Sequence, residues 1–369
     1  AAFMGRALQI NHHHCRHLGP ALSGTIGAGF HNGQQRSKGM KTFPKVLHLV
    51  DDTTAGGVMR VLDFLRSDRD LAETALHEVK SVNRGKIINN LGKADVIVSH
   101  LAISWRSLPS LIALRALYAR TPLVHVEHSY TERFMAHNVP SARRFKSLLK
   151  LAFSLFDRIV CVSNGQANWM ISSRLVHTDK LSTIQSCVDL SAFRALPVPT
   201  GPARIFGAIG RLDNQKGFDT LIKAFRQCPD PNIKLHIVGE GAQETALKTL
   251  AGTDTRIIFK GFQSDPVMAL ADVDVVLMPS RWEAYGLVAV EALAAGRRLL
   301  CYNIDGLSDH ILHGGVMMDT TNIEELSDLI AREANAVGKV KEKSVVRTTR
   351  QLENRFCDCW QFLLREISV

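Results

Sequence analysis

The chain has 369 residues, of which 46% are hydrophobic and 22% are charged, and its formal net charge is +10. This composition excludes a disordered tail, a collagen-like fibre and a small disulfide-rich scaffold, while the net charge indicates an anionic partner such as nucleic acid, an anionic membrane or a phosphorylated ligand. Residues 201–369 contain 20 basic and 22 acidic side chains, so the whole excess lies in residues 1–200 and a uniform nucleic-acid-binding surface is not indicated.

The apolar runs and the cysteines restrict the location of the protein. No run of about 18 uncharged apolar residues occurs, so we expect no membrane-spanning helix. The seven cysteines form no C-x-x-C pair and their number is odd, which favours neither a disulfide framework nor a cysteine-based metal site. A reducing cytoplasm is the simplest compartment for such a chain.

Residues 1–40 differ from the rest of the chain. They are rich in Gly, His, Ser and Gln and show no sustained helical or strand period. They also lack a clear apolar segment followed by the cleavage site of a secretory signal. We expect these residues to be a disordered leader, with the folded region beginning near Met40.

Residues 41–196 alternate short apolar runs with helical patterns such as Ser107–Tyr118 and Ser141–Phe156. This alternation is typical of a parallel sheet that is covered by helices on both faces. We therefore predict an N-terminal α/β domain over residues 41–196. Its predicted strands are Val46–Val50, Ala75–Val82, Val96–His100, Leu123–Glu127 and Ile159–Ser163.

Leu196–Pro202 has the composition of a linker, with three prolines and one glycine. The alternation then resumes and predicts a second α/β domain over residues 203–348. Beyond it, residues 349–369 predict a terminal helix with one apolar face, which could cross back to the N-terminal domain. The strands of the second domain are predicted at Arg204–Ile209, Ile233–Val238, Arg256–Lys260, Val273–Met278 and Leu299–Tyr302.

The segment Pro279–Gly296 contains two carboxylates eight residues apart, Glu283 and Glu291. Glu283 precedes a predicted helix, where backbone N–H groups favour polar and anionic ligands. At about 100° per residue the two side chains would lie roughly 80° apart around a helix axis, on one broad face. Glu291 lies among apolar residues, so its carboxylate requires polar partners. The pattern favours a functional site over an exposed helix face.

Arg211 and Lys216 lie five residues apart in a loop that follows a predicted strand and precedes a helix. Two cations beside a helix N-terminus form a site suited to a diphosphate. Gly210 and Gly217 permit tight turns in this loop. The alternative is a pair of solvated surface cations.

Weaker candidates lie in the first half. Gly56 and Gly57 follow the first strand and allow the backbone to approach a ligand, although a plain turn is equally consistent with them. The segment matches neither a dinucleotide-binding nor a P-loop motif. His128 follows a strand, where it would face a cleft. The D-x-D at Asp272 begins a strand, so we favour a structural role there, and we expect no metal.

Taken together these motifs resemble glycosyltransferase family 4, a group of retaining nucleotide-sugar enzymes with the GT-B fold. The resemblance extends from about Lys45 to Leu364. It implies two Rossmann-like parallel-sheet domains that face a central cleft. The matching motifs are E(x)7E at Glu283 and Glu291, the loop Gly210–Gly217, the Gly-Gly pair, and weaker matches at Val160–Gly165, Gly239–Gly241 and Phe259–Phe262.

The resemblance implies roles for the matching positions. Arg211 and Lys216 would neutralise the donor diphosphate, Glu283 and His128 would contact the transferred sugar, and Glu291 would bind the ribose. The catalytic set would then be Glu283, His128, Lys216 and Arg211. The remaining donor contacts would come from Gly56, Gly57, Gly239, Phe262 and the backbone of Tyr285, Gly286 and Leu287.

Two segments depart from the family pattern. The chain has S-C-V-D at Ser186–Asp189 where N-G-V-D is common, and D-G-L-S-D at Asp305–Asp309 where G-G-x-x-E is common. Asp309 could replace the glutamate, but one loop glycine is missing. We therefore treat the phosphate contacts of this loop as open.

A basic, amphipathic segment in the first half predicts contact with an anionic membrane or acceptor, against the alternative of a solvated helix face. We accordingly expect a cytoplasmic protein with peripheral contact at the inner face of the membrane. The cations of this patch are Arg133, Arg143, Arg144, Lys146 and Lys150.

The predicted function is retaining transfer of a sugar from a UDP- or GDP-sugar to a glycan or lipid-linked acceptor, in cell-surface polysaccharide or glycolipid synthesis, without a metal cofactor. The main alternative is a catalytically silent GT-B partner subunit. A nucleotide-sugar epimerase is less consistent with the two motifs. A nucleic-acid binder lacks the expected interleaving of aromatic and basic residues.

Overall fold

The computed structural model describes residues 43–54, 56–318, 322–336 and 342–367. The chain from Phe43 onward forms one compact unit. The leader predicted at residues 1–40 lies outside the described residues, so its order stays a prediction.

The first half of the described chain builds a six-stranded parallel sheet in the order β2-β1-β3-β4-β5-β6. Its central strands β1, β3, β4 and β5 are almost fully buried because helices cover both faces, whereas the edge strands β2 and β6 are only partly buried. The strands are β1 (Lys45–Val50), β2 (Leu76–Ser81), β3 (Val96–Ser99), β4 (Leu123–Glu127), β5 (Arg158–Cys161) and β6 (Leu181–Thr183). The helices are α1 (Gly57–Ser67), α2 (Arg69–Ala72), α3 (Leu108–Leu117), α4 (Glu132–Asn138), α5 (Ala142–Ser154), α6 (Asn164–Ser172) and α7 (Ser191–Arg194).

The second half builds another six-stranded parallel sheet, ordered β12-β11-β10-β7-β8-β9 within the described residues. The strands are β7 (Ile205–Ile209), β8 (Lys234–Val238), β9 (Ile257–Gly261), β10 (Val275–Met278), β11 (Arg298–Tyr302) and β12 (Val316–Met318). The helices are α8 (Phe218–Gln227), α9 (Glu244–Ala251), α10 (Pro266–Leu270), α11 (Leu287–Ala294), α12 (Ser308–Ile311), α13 (Ile323–Asn335) and α14 (Glu342–Ile367). The predicted fold class, α/β with two Rossmann-like parallel sheets, is confirmed.

The long helix α14 packs against elements of both halves. Phe356 stacks on Phe64 of α1 with ring centroids 5.6 Å apart. Glu353 accepts hydrogen bonds from the guanidinium of Arg194 and from the backbone N–H of Leu190. The side-chain amide of Gln361 donates to the carbonyl of Asp70 in α2. These contacts attach the last described helix to helices of the first half, and α14 also packs against α11 of the second half.

Polar contacts join the two sheets at the carboxyl ends of their strands. The Thr131 hydroxyl donates to the Asp305 carboxylate at 2.7 Å, and the Gln185 amide donates to Asp309 at 2.6 Å. Gly165 lies so close to the backbone carbonyl of Asp305 that a Cβ there would be 2.0 Å from its oxygen. The cleft between the sheets is therefore held at defined points by close contacts.

None of the helices among the described residues combines the length and apolar content that crossing a bilayer requires.

Candidate functional site

A cavity of about 590 Å³ lies at the carboxyl ends of both sheets. This is the place where open parallel sheets bind ligands. A larger and more open hollow of about 1020 Å³ lies beside α13, but it contacts none of the predicted site residues. The predicted residues that line the cleft cavity are Gly56, Gly57, His128, Arg211, Lys216, Glu283, Tyr285, Gly286 and Leu287.

Lys216 and Glu283 form an ion pair in the wall of this cavity. The Nζ of Lys216 lies 2.5 Å from Oε2 of Glu283, and the two side chains are only 14% and 12% exposed. A short turn ends at Lys216, and the next residue, Gly217, has a φ of 67°, which suits glycine. A Cβ at Gly217 would also lie 2.1 Å from the carbonyl oxygen of Pro279. The loop therefore places one mostly buried cation beside one carboxylate.

Arg211 lies at the edge of the cavity and is loosely held. Its side chain is 75% exposed and lies 3.4 Å from the carboxylate of Asp213. It also donates a 3.2 Å hydrogen bond to the amide oxygen of Gln215. An exposed pair of this kind contributes little to stability, so the guanidinium can move to an anionic ligand at small cost.

The segment before α11 presents backbone to the cavity. Gly286 adopts φ 86° and α11 begins at Leu287, so the first N–H groups of this helix lack intrahelical acceptors. The Nε2–H of the buried His310 donates to the carbonyl of Tyr285 at 2.8 Å and holds the segment in place. Burial lowers the pKa of His310 to about 4. A helix start of this kind favours phosphate.

Glu283 and Glu291 do not share a helix face, because Glu283 lies in the loop before α11. The predicted separation around a common helix axis is therefore wrong. Glu291 is 2% exposed and does not line the cavity. Its carboxylate accepts a 2.6 Å hydrogen bond from Arg60 of α1. Burial raises the pKa of Glu291, and the neighbouring Arg60 opposes that shift.

Gly239 and Phe262 follow β8 and β9 and do not line the cleft cavity. Gly239 packs directly against the loop that contains Arg211 and Lys216, since a Cβ there would lie 2.0 Å from the carbonyl oxygen of Gly210. Phe262 is 55% exposed. The donor contacts predicted for these two residues stay predictions.

The loop with the altered glycine pattern contacts the first half of the chain. Asp305, at φ 41°, accepts hydrogen bonds from Thr131 and from the backbone N–H groups of Arg133 and Glu283. Burial raises the pKa of Asp305. Asp309 is 4% exposed and accepts from the backbone N–H of Asn164. Both carboxylates thus face the first sheet.

The basic patch lies on α4 and α5, and none of its five cations lines the cavity. Arg133, Arg143, Arg144 and Lys150 are exposed and Lys146 is half-buried. The apolar side of α5 packs into the core of the first half, where the described side chains of Phe145, Leu148, Leu149 and Phe153 are buried. The amphipathic pattern therefore mainly reflects core packing, and the charges and the exposed Leu151 are the side chains available to a membrane or an acceptor.

The described residues contain no group of three or more His, Cys, Asp or Glu side chains placed to hold a metal ion. In the D-x-D segment, the Asp274 carboxylate accepts 2.8 Å hydrogen bonds from the backbone N–H groups of Arg204 and Ile205. That carboxylate holds the start of β7 in place, which is a structural role.

Sequence reasoning missed several residues of the cavity wall. Arg60, His100, Phe134, Gln215 and Trp282 all line it. Trp282 is next to Glu283 in the chain, and its ring stacks on His137 of α4 with centroids 5.5 Å apart. Gln215 and Trp282 do have a local signal, because they lie within the Gly210–Gly217 and Pro279–Gly296 motifs. The others come from separate elements and had no local signal.

Two family models match adjoining parts of the chain. The model of glycosyl transferases group 1 matches residues 193–335, and the model of glycosyltransferase family 4 matches residues 76–192. A D-inositol 3-phosphate glycosyltransferase of Arthrobacter sp. (strain FB24) is 29% identical over 265 residues, which are 65% of this chain and 62% of that relative. The match thus spans less than two thirds of the relative's length.

Solved structures share the fold. HepE of Anabaena, solved in complex with UDP and glucose, aligns with a TM-score of 0.64 at 19% identity over 88% of this chain and 98% of its own. A sucrose-phosphate synthase from Thermosynechococcus elongatus aligns with a TM-score of 0.67 at 18% identity over 88% of this chain and 100% of its own. At these identities the likeness establishes the two-sheet architecture.

Proposed function

Because this chain belongs to the family 4 and group 1 glycosyltransferases, we propose that it transfers a sugar from a UDP- or GDP-sugar to a glycan or lipid-linked acceptor. The observation that supports this most is the cavity wall itself, where Lys216, Arg211 and the start of α11 meet. Two cations and a helix N-terminus match the charge of a nucleotide diphosphate. The solved relative that holds UDP and glucose supports a UDP-sugar as the donor.

The proposed reaction exchanges one bond at the anomeric carbon. The bond from this carbon to the diphosphate oxygen breaks, and the bond to the acceptor oxygen forms. The acceptor oxygen attacks on the face from which the diphosphate departs, which retains the anomeric configuration, and its hydroxyl proton passes to the departing phosphate oxygen. Negative charge develops on the diphosphate, so fixed donors placed there stabilise the transition state.

Lys216 would exchange partners during donor binding. In the structure its charge is matched by Glu283 at 2.5 Å. A bound diphosphate would draw the ammonium away and leave the Glu283 carboxylate free to accept from sugar hydroxyls. To bind the ribose, the Glu291 carboxylate would have to accept hydrogen bonds from the ribose hydroxyls as well as from Arg60. Because Lys216 and Arg211 supply the charge, we propose that the transfer proceeds without a metal cofactor.

A thermal-shift panel tests the donor site. UDP, GDP, ADP and their sugars are compared on wild type, Lys216→Ala and Lys223→Ala, which removes an exposed cation on α8. A ligand at 100 times its Kd stabilises by about 2.7 kcal/mol, so at least one nucleotide should raise the Tm of wild type and of Lys223→Ala. Lys216→Ala should shift far less. No shift with any nucleotide would contradict the proposal.

Turnover separates an enzyme from a silent partner subunit. In the loop that departs from the family pattern, Asp305 and Asp309 bind groups of the first half instead of being free for a donor phosphate. This observation favours the silent alternative. Release of sugar from the bound donor by purified protein would support the enzyme. A nucleotide-sugar that binds without being hydrolysed or transferred would support the silent alternative.

The role in cell-surface polysaccharide or glycolipid synthesis, on the cytoplasmic face of a membrane, is proposed from the basic patch. Each exposed cation near an anionic surface contributes about 1 kcal/mol. Cosedimentation with phosphatidylserine vesicles at low salt should retain wild type, and the double change Arg143→Ala and Arg144→Ala should weaken it. Lys223→Ala is the control. Equal recovery in the supernatant with and without vesicles would argue against membrane contact.

A further inference from the structure

Four histidines form an unbroken hydrogen-bonded chain across the first sheet. His77 Nδ1 lies 2.9 Å from His48 Nε2, and His48 Nδ1 lies 2.9 Å from His100 Nε2. His100 Nδ1 lies 2.8 Å from His128 Nε2. Neighbouring rings are stacked with centroids 5.1 to 5.2 Å apart. We call these four residues the histidine chain.

The register of the strands produces this alignment. His77 of β2 pairs with Val46, two positions before His48, and His48 of β1 pairs with Val98, two positions before His100. Alternate residues of a strand share one face of the sheet, so successive rings meet diagonally on that face. Each step leads towards the carboxyl edge of the sheet, and the last ring, His128, lines the cleft cavity.

Burial keeps these rings neutral at neutral pH. It lowers the pKa of His77 and of His128 to about 4, and it places the pKa of His48 and of His100 well below the ordinary value. A neutral imidazole has one donor and one acceptor nitrogen. Three successive bonds must therefore all run in the same direction, which leaves two arrangements of the whole chain.

The two ends of the chain distinguish these arrangements. His77 Nε2 is buried and has no hydrogen-bond partner within the described part of the chain. A buried N–H without an acceptor is rarer in proteins than an acceptor without a donor. This favours a bare Nε2 on His77, so that each histidine donates from Nδ1 to Nε2 of the next. His128 then accepts through Nε2 and carries its proton on Nδ1.

We propose that the histidine chain is a positioning relay that fixes His128 as the neutral Nδ1–H tautomer at the cavity. In this state His128 donates one hydrogen bond to a ligand oxygen and cannot accept one. His77 and His48 do not line the cavity and act through His100 and His128. The identification of the recipient as an oxygen of the transferred sugar rests on the proposed function, whereas the tautomer itself does not.

The tautomer is measured by ¹⁵N NMR of the imidazole rings, with His128 assigned from the spectrum of His128→Gln. Wild type should show a protonated Nδ1 and a bare Nε2 on His128. The reverse assignment would overturn the proposal, whatever the enzyme transfers.

A matched pair at His77 tests the relay itself. His77→Gln keeps a donor for His48, whereas an ionised His77→Glu only accepts and should reverse every bond up to His128. The spectra are recorded at a pH where the carboxyl ¹³C signal of the second variant shows ionisation. His128 should change from Nδ1–H to Nε2–H in His77→Glu and not in His77→Gln. The same tautomer in both folded variants would refute the relay.

Kinetics give a readout that a purely structural role would not produce. His77→Glu should lower kcat/KM for the sugar donor about tenfold, the scale of one hydrogen bond, without weakening the nucleotide diphosphate alone. His77→Gln should stay within about twofold of wild type. An equal loss in both variants would indicate damage to the fold and count against the relay. Absence of transfer in wild type, with the tautomer change intact, would refute only the proposed function.

Discussion

The two halves of the molecule contribute to the cavity in different ways. In the second half, Arg211 and Lys216 lie in one loop and Glu283 lies in another. Each loop is a single short stretch of the sequence. In the first half, Arg60 comes from α1, His48 and His77 come from β1 and β2, and His100 and His128 directly follow β3 and β4. The second half therefore has a site that is recognisable as motifs, and the first half has a site that exists only once its sheet has formed.

The largest expected effect comes from the second half. Glu283→Gln should lower turnover about 100- to 1000-fold, the usual loss when a charged contact to the transition state is removed. Nucleoside diphosphate binding should persist or tighten, since Lys216 loses the anion that neutralises it. Initial rates and calorimetry measure the two quantities. Glu240→Gln, an exposed position, is the control, and a parallel loss of nucleotide binding would contradict the assignment of Glu283 to the sugar.

The contact between the halves is the next test. Arg60→Ala leaves the buried Glu291 without its ion-pair partner. We expect a loss of about 1–3 kcal/mol in the free energy of unfolding, below the value for fully buried pairs because Arg60 is 33% exposed. Urea denaturation measures it. Arg66→Ala on the same helix, whose nearest carboxylate is 3.8 Å away, should change stability by less than about 0.5 kcal/mol.

The smallest effect, taken over one pH unit, concerns the buried imidazoles of the first half. Burial lowers the pKa of His77 to about 4, so the unfolded chain binds the extra proton between about pH 6.5 and pH 4. The stability that His77 contributes is complete above about pH 6.5 and is lost as the pH falls towards 4. Between these pH values the free energy of unfolding should decrease less steeply in His77→Gln than in wild type, by up to about 1.4 kcal/mol per pH unit.

The comparison of variants isolates this contribution. Burial raises the pKa of Glu291 and of Asp305, so these carboxyl groups change the free energy of unfolding with pH in the opposite direction. They are present in both wild type and His77→Gln, and their contribution therefore cancels in the difference between the two proteins. Exposed His177, changed to Gln, is the control. Equal pH dependence of wild type and His77→Gln would show that His77 takes up its proton while folded.

Much of the fold could be read from local patterns, and the misses have physical causes. Buried parallel strands are continuous apolar runs, so β3, β4 and β10 were predicted to within a few residues. The edge strands β6 and β12 were missed, because each has three residues and neither is fully buried. The amphipathic pattern of α5 was also ambiguous, since an apolar face looks the same whether it meets a core or a membrane.

By itself the sequence determined the class of the protein, the two parallel sheets and the loops with Lys216 and Glu283, because hydrophobic period and turn residues act over a few positions. Only the tertiary structure decided the partner of Glu291, which is 231 positions away in the chain. It also decided that His48, His77, His100 and His128 form one chain, because strand register aligns side chains that no local pattern connects.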